Sequence, residues 1–277
     1  MRWPKDWGTR TAVMGVINLT PDSFSDGGQF NQLDRALAEA SRQIASGADC
    51  LDLGAQSTRP NAVEVGKDEE LKRLLPTLRA IRAAHPKVLI SVDTFLAAVA
   101  NQALEAGADW INDVSGGRRD SEMLPLIAQA GCPFVLMHSR GTSRTMDLCT
   151  DYGEQGVVKG VLEELRAATD RALKAGVHRD QLLWDPGLGF AKTTAQNLTL
   201  LQQLNTLVDE GVPLLLGPSR KRFIGAVLDE PRARARLWGT AAVCARAVDA
   251  GVAVLRVHDV GPIHQVVTMA SAIGSNR

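Results

Sequence analysis

Cysteine is scarce. The 277 residues hold four, Cys50, Cys132, Cys149 and Cys244, with no CxxC pair or other metal-ligand spacing. This excludes a disulfide-stapled or zinc-held scaffold and reads as reduced thiols, with Cys50 and Cys132 in or beside apolar runs. Neither sign of charge is in surplus, since Lys plus Arg and Asp plus Glu each number 31. No nonspecific hold on a nucleic-acid backbone is expected, and any anion site must be local. The opening MRWPKDWGTR lacks an apolar signal core, and no apolar run approaches membrane-spanning length. A cytoplasmic protein without a membrane partner is the expectation. A P-loop is missing as well, and GLGFA at 187–191 lacks the full spacing and acidic partner of a dinucleotide fingerprint, so it reads as a tight loop. No Ser-His-Asp or Cys-His pair can be argued from spacing. With no linker, low-complexity tract or short repeat, residues 1–277 are expected to form a single domain.

What the chain does have is rhythm. VMGVI reads as a strand buried on both faces, and it stops at Asn18 in a polar, glycine-ended loop. Strand-like runs recur at 50–54, 88–94, 110–115, 134–138, 182–187, 213–219 and 252–259. Most end in a functional group: Asn18, Asp52, Asp93, Asn112, His138, Asp185, Ser219 followed by Lys221, and Arg256 with His258. Helix-period segments lie between them, at 33–45, 69–84, 96–106, 121–129, 153–175, 195–210, 234–250 and 262–273. Glycines at 47, 107, 131, 176, 211 and 251 follow last helical turns, as left-handed C-terminal caps do. About eight strand-then-helix units are the length and rhythm of an α/β (β/α)₈ TIM barrel, whose catalytic groups project from the carboxyl ends of the strands. A doubly wound open sheet also alternates strand and helix. It would gather its functional groups near one switch point, not at nearly every run end.

Two sets of residues are oddly placed for structure alone. Asp93 and Asp185 follow apolar runs, where a carboxylate is costly unless paired. With Asn112, which can both donate and accept, they suggest a slot for a flat ring carrying both kinds of group. The competing reading is that each Asp caps a helix or closes a loop. The second set is cationic: Arg59, Arg220, Lys221, Arg256 and His258, the last four after the seventh and eighth strands, where barrels often bind phosphate. Arg232, Arg234 and Arg236 read as solvated surface. His85, His178 and His264 read as ordinary surface histidines, whereas His138 and His258 end strands.

NLTPDSFSDGG, GADCLDLGAQSTRP, SVDT, INDVSGG, VLMHSRGT, DPGLGFAKT, NLTLL, GPSRKRFIG and LRVHDV stand in one register along nearly the whole chain. In these motifs the sequence resembles the bacterial-type dihydropteroate synthases of folate biosynthesis. The resemblance implies a (β/α)₈ barrel condensing 6-hydroxymethyl-7,8-dihydropterin diphosphate with 4-aminobenzoate, which sulfonamides mimic. It implies that Asp93, Asn112, Asp185 and Lys221 hold the pterin, and that Arg256 stacks on the ring and reaches the diphosphate with His258. Asn18 would bind Mg²⁺, Thr58 and Arg59 would close over the reacting end, and Pro60, Phe190 and Ser219 would line the aminobenzoate pocket. Asp93, Arg59, Lys221 and Arg256 would carry the chemistry.

Two departures from the family pattern stand out. The common GGESTRPG is GAQSTRPN here, which leaves closure of the second loop open in detail. Arg222 replaces a serine after Lys221, and it could bind the aminobenzoate carboxylate or point into solvent. The polar loops at 19–32 and 55–68 are expected to be mobile lids. The Ala-rich last helices suit either a homodimer face or close packing within the barrel. Rival readings are a methyltetrahydrofolate-dependent corrinoid methyltransferase and a catalytically silent pterin-diphosphate binder.

Overall fold

The structure, a computed structural model, describes residues 1–20, 29–57 and 64–274. Among them run eight strands: β1 (Ala12–Asn18), β2 (Cys50–Gly54), β3 (Leu89–Asp93), β4 (Trp110–Asp113), β5 (Phe134–Met137), β6 (Leu182–Asp185), β7 (Leu215–Leu216) and β8 (Val254–Val257). The helices that pack around them are α1 (Gln29–Ala45), α2 (Lys67–Ala84), α3 (Ala97–Glu105), α4 (Met123–Ala130), α5 (Gly156–Lys174), α6 (Thr194–Gln202), α7 (Leu204–Val208), α8 (Arg222–Leu228), α9 (Leu237–Asp249) and α10 (Val260–Gly274). All strand pairs are parallel, in the order β6-β5-β4-β3-β2-β1-β8-β7. A parallel bridge between Trp184 and Leu214 joins the two ends, with Trp184 N donating to Pro213 O at 2.9 Å. The sheet therefore closes into a (β/α)₈ TIM barrel, and the open-sheet alternative falls.

β7 is much shorter than the 213–219 run suggests. Pro213 and Pro218 flank it, and neither has an N–H to give to a ladder. The helix expected over 195–210 is two, broken at Gln203, and the one expected from 234 starts with a 3₁₀ turn. The expected caps at Gly47, Gly107, Gly131, Gly176, Gly211 and Gly251 all have positive φ.

Alternation along the strands builds two cores. Outward residues such as Leu51, Leu53, Ile90, Val92, Ile111 and Leu136 pack against the helices. Inward ones, Met14, Cys50, Leu89, Trp110, Val135, Leu183, Leu215 and Val254, meet on the barrel axis. Trp3 and Trp7 stack at 4.5 Å and close the amino-terminal end of that core against the edge of Trp110, whose Nε1 donates to Arg2 O at 2.8 Å. This floor is apolar and filled. Chemistry is left to the other end.

Candidate active site

Two residues beyond that apolar layer, the same strand faces turn polar. With a period of two, the positions above Cys50, Leu89, Trp110, Leu183 and Val254 are Asp52, Ser91, Asn112, Asp185 and Arg256. In the strand register the mouth carries Asn18, Gly54, Asp93 and Asn112 as successive neighbours. The sequence pattern thus delivers amides and carboxylates to the rim of a dry cylinder.

Arg256 ties this rim together. Its Nε donates to Asp52 Oδ2 at 2.6 Å and an Nη donates to Asp93 Oδ2 at 3.0 Å. Asn112 Nδ2 reaches the same Asp52 oxygen at 3.4 Å. Two buried carboxylates share one guanidinium. Burial lifts Asp93 well above the usual carboxylate range, against the pull of Arg256 and with Asp52, Glu70 and Asp113 adding to the rise. Arg256 stays protonated, because Asp52 and Asp93 outweigh the burial that opposes its charge.

Asp185 serves the loop and the site together. Its Oδ1 accepts the Gly187 amide at 2.7 Å, closing the loop after β6. Burial raises its carboxyl above the usual range, opposed by Gly187, Lys221, Lys192 and Arg256. Lys221 lies 4.3 Å from the Phe190 ring centroid, and burial lowers its ammonium to about 8. The GLGFA segment is the tight loop its sequence suggests. Gly187 has φ 67°, and a β-carbon there would lie 2.0 Å from the His138 carbonyl oxygen.

Beneath this loop lies a network that sequence reasoning missed. Lys192 is buried and donates to the carbonyls of Gly187 (3.1 Å) and Phe190 (3.0 Å) and to His138 Nδ1 (3.0 Å). Nδ1 is then the acceptor, so the ring proton sits on Nε2, 3.2 Å from a Glu164 carboxylate oxygen. Arg140 pairs with the same Glu164 and stacks over Tyr152. His138 therefore supports the loop from behind and is not at the mouth. The one signal for Lys192 was its position just after a glycine-rich loop that must be held.

The cationic set divides. His258 donates its backbone N–H to Ser219 Oγ at 3.1 Å, and its Nδ1 is 2.9 Å from that oxygen. Arg220 is paired with Asp259 at 2.6 Å. Asn18, Arg35, Arg220, Arg234 and His258 line a cavity of about 620 Å³ on the β1–β8 side. Arg234 lines this cavity but is exposed, as is Arg232, in line with their reading as solvated surface; Arg236 is buried, donating to the carbonyls of Glu230, Pro231 and Arg220, which corrects its reading. A second cavity of about 150 Å³ opens beside Phe190, lined by Phe95, Arg118, Arg119 and Arg140. Arg222 turns outward to the exposed Asp147, at 2.8 and 3.1 Å.

Thr58, Arg59 and Pro60 lie outside the described residues, as do 21–28 and 58–63 of the two loops expected to be lids. The described ends of the second loop are pinned: Gln56 Oε1 accepts the Val65 amide at 2.7 Å, and Gln56 Nε2 donates to Glu70 at 3.4 Å. A glutamate at 56 would set a second carboxylate against the buried Glu70, so the amide suits this chain. Among the described residues no group of three or more His, Cys, Asp or Glu could hold a metal ion. Asn18 Oδ1 and Asp93 Oδ2 lie 3.8 and 3.9 Å from where a Gly54 β-carbon would stand, a pair of hard oxygens at the rim. Such a donor set fits Mg²⁺ carried largely by phosphate oxygens and water.

Fold and rim together define a (β/α)₈ barrel whose carboxyl end gathers buried acids and cations. The family model described as pterin binding enzyme matches residues 14–258. A dihydropteroate synthase of Synechocystis sp. is 48% identical over 268 residues, covering 97% of this chain and 92% of that one. A Clostridium difficile dihydropteroate synthase solved in the presence of pteroic acid superposes with a TM-score of 0.91 at 39% identity, over 97% of this chain and 98% of the other. A Xanthomonas albilineans dihydropteroate synthase solved with 4-aminobenzoic acid gives 0.89 at 39% identity, over 95% and 93%. The chain belongs to the pterin binding enzyme family, and within it to the dihydropteroate synthases, transferases of folate biosynthesis.

Proposed function

We propose that the barrel mouth condenses 6-hydroxymethyl-7,8-dihydropterin diphosphate with 4-aminobenzoate, forming 7,8-dihydropteroate and releasing diphosphate. The observation that carries the assignment of roles is the shared guanidinium: Arg256 between Asp52 and Asp93, with Asn112 on the same carboxylate. Around it Asp185 presents a carboxylate to the amino and N–H edge of the ring, and Lys221 gives an N–H to its carbonyl or a ring nitrogen. The plane of Arg256 stacks on the bicycle. At the diphosphate end Arg256, His258 and Arg59 draw charge onto the leaving oxygens, and the electron-rich ring supports the exocyclic cation as the C–O bond breaks. Asp93, close to the ring, stabilises that positive charge. The aniline nitrogen then attacks the methylene carbon and loses its proton to solvent. It needs position more than activation.

Thr58, Arg59 and Pro60 close over the reacting end, while Phe190 and Ser219 line the aminobenzoate pocket. A sulfonamide occupies that pocket in place of the substrate. Magnesium is the expected cofactor, with Asn18 supplying its protein oxygen; when bound it neutralises charge on the departing diphosphate. The protein acts as a cytoplasmic, single-domain homodimer. Supporting the first, no helix among the described residues is long and apolar enough to cross a membrane. Supporting the last, Val227, Leu228, Trp238, Met269 and Ile273 are exposed on α8, α9 and α10.

Purified protein tests the reading directly. Diphosphate release that needs both Mg²⁺ and 4-aminobenzoate, with 7,8-dihydropteroate formed in equal amount, is expected. Binding of pterin diphosphate with no pteroate formed would identify a silent paralogue instead.

A further inference from the structure

One rim carboxylate is given no substrate contact in that reading. Asp52 stands two residues before the end of β2, a layer beneath Asp93, and is completely buried at 0% exposure. A carboxylate so placed is costly unless its bonds are well made. Asp52 makes them all at one oxygen: Oδ2 receives Arg256 Nε at 2.6 Å and Asn112 Nδ2 at 3.4 Å. Its other oxygen is buried without a hydrogen-bond partner, and so is the hydroxyl of Ser91, its register neighbour on β3. A carboxylate that merely fastens a loop spreads its bonds, as Asp113 does by taking the Ser115 amide on one oxygen (2.7 Å) and the Gly117 amide on the other (2.8 Å). Asp52 concentrates on the edge of one guanidinium.

That edge matters because a guanidinium is a rigid planar fork, so fixing its Nε side fixes the tilt of the whole plane. A second bond to Asp93 from an Nη then leaves the plane no free rotation. We infer that Asp52 is a positioning residue for the transfer reaction: from below the slot it holds the Nε edge of Arg256 and the amide of Asn112, and so sets the surface on which the ring is stacked. This rests on the reading of Arg256 as the residue that stacks on the ring.

Full-length Asp52→Asn, nearly isosteric, is the test. Turnover should fall by about 10²-fold, the scale of a misplacement of about 1 Å in a reacting group. KM for 4-aminobenzoate should hold, so that the loss falls on kcat. A lowered melting temperature with turnover unmoved would mean Asp52 is only structural, and the inference would fall. Arg256→Ala, run alongside, separates the two layers. If it abolishes turnover while Asp52→Asn does nothing, positioning fails alone; if it too does nothing, the stacking role of Arg256 has failed. Should Asp52→Asn not fold, nitrogen NMR of the unaltered protein decides: the Arg256 Nε–H should exchange slowly with solvent, and exchange as fast as that of the exposed Arg232 would overturn the inference.

Discussion

Asp185 shows how one side chain can satisfy two readings that the sequence leaves in competition. Its Oδ1 takes the Gly187 amide, which is the loop-closing role, and the rest of the carboxylate is available to a ring edge. Asp185→Asn keeps an oxygen for Gly187 but removes the charge. It should weaken pterin diphosphate binding by roughly 1.5–3 kcal/mol, the worth of hydrogen bonds to a charged group, with the melting temperature nearly unchanged. Calorimetric titration reads it, and unaltered affinity would remove Asp185 from the ring contacts. At this scale the sequence was legible where a polar residue ends an apolar run, as for Asp93, Asn112, Asp185 and Arg256. Asp52 also ends such a run, but its partner is 204 positions away, and only closure of the barrel brings Arg256 to it. Lys192 was missed for another reason: a lysine in a polar loop reads as solvated, and its place after a glycine-rich loop does not by itself show that three acceptors surround it.

At the scale of elements, the loop after β6 depends on a neutral histidine. Burial, with Lys192 adding, lowers His138 to about 4 against the pull of Glu164. In the unfolded chain the ring takes its proton near 6.5. Between those values the unfolded state binds a proton that the folded state does not, so stability is whole above about pH 6.5 and falls as the pH drops toward about 4. The loss over that window is on the order of 3 kcal/mol. Urea midpoints taken across it should fall more gently for His138→Gln than for the unaltered protein; superimposable profiles would show that the ring is already charged in the fold. Element types were readable from periodicity, but lengths were not. β7 shrinks to two residues between its prolines, and α8 starts inside GPSRKRFIG and runs for only seven residues, too few to show a period.

For the whole molecule, the alternation of strand and helix named the architecture, while closure rested on a contact that no local pattern encodes. The outer surface raises the remaining question. Trp238 is 79% exposed on α9, near the exposed Val227 and Leu228 of α8. A homodimer across this face would cover them. Sedimentation should give a dimer for the unaltered protein and a monomer for Trp238→Glu with its fold intact. A monomer in both cases would mean that the alanines of α9 serve packing within the barrel alone.

The seam between β6 and β7 sets a condition on all of this. Seven of the strand junctions are true ladders, whereas this one is stitched by a single bridge at Trp184 and Leu214. Asp185 stands on one side of it and Lys221 on the other. Thermal breathing of the wall would open there first, widening the grip on the bicycle, so a ligand that spans the two residues also acts as the clasp that draws the cylinder shut.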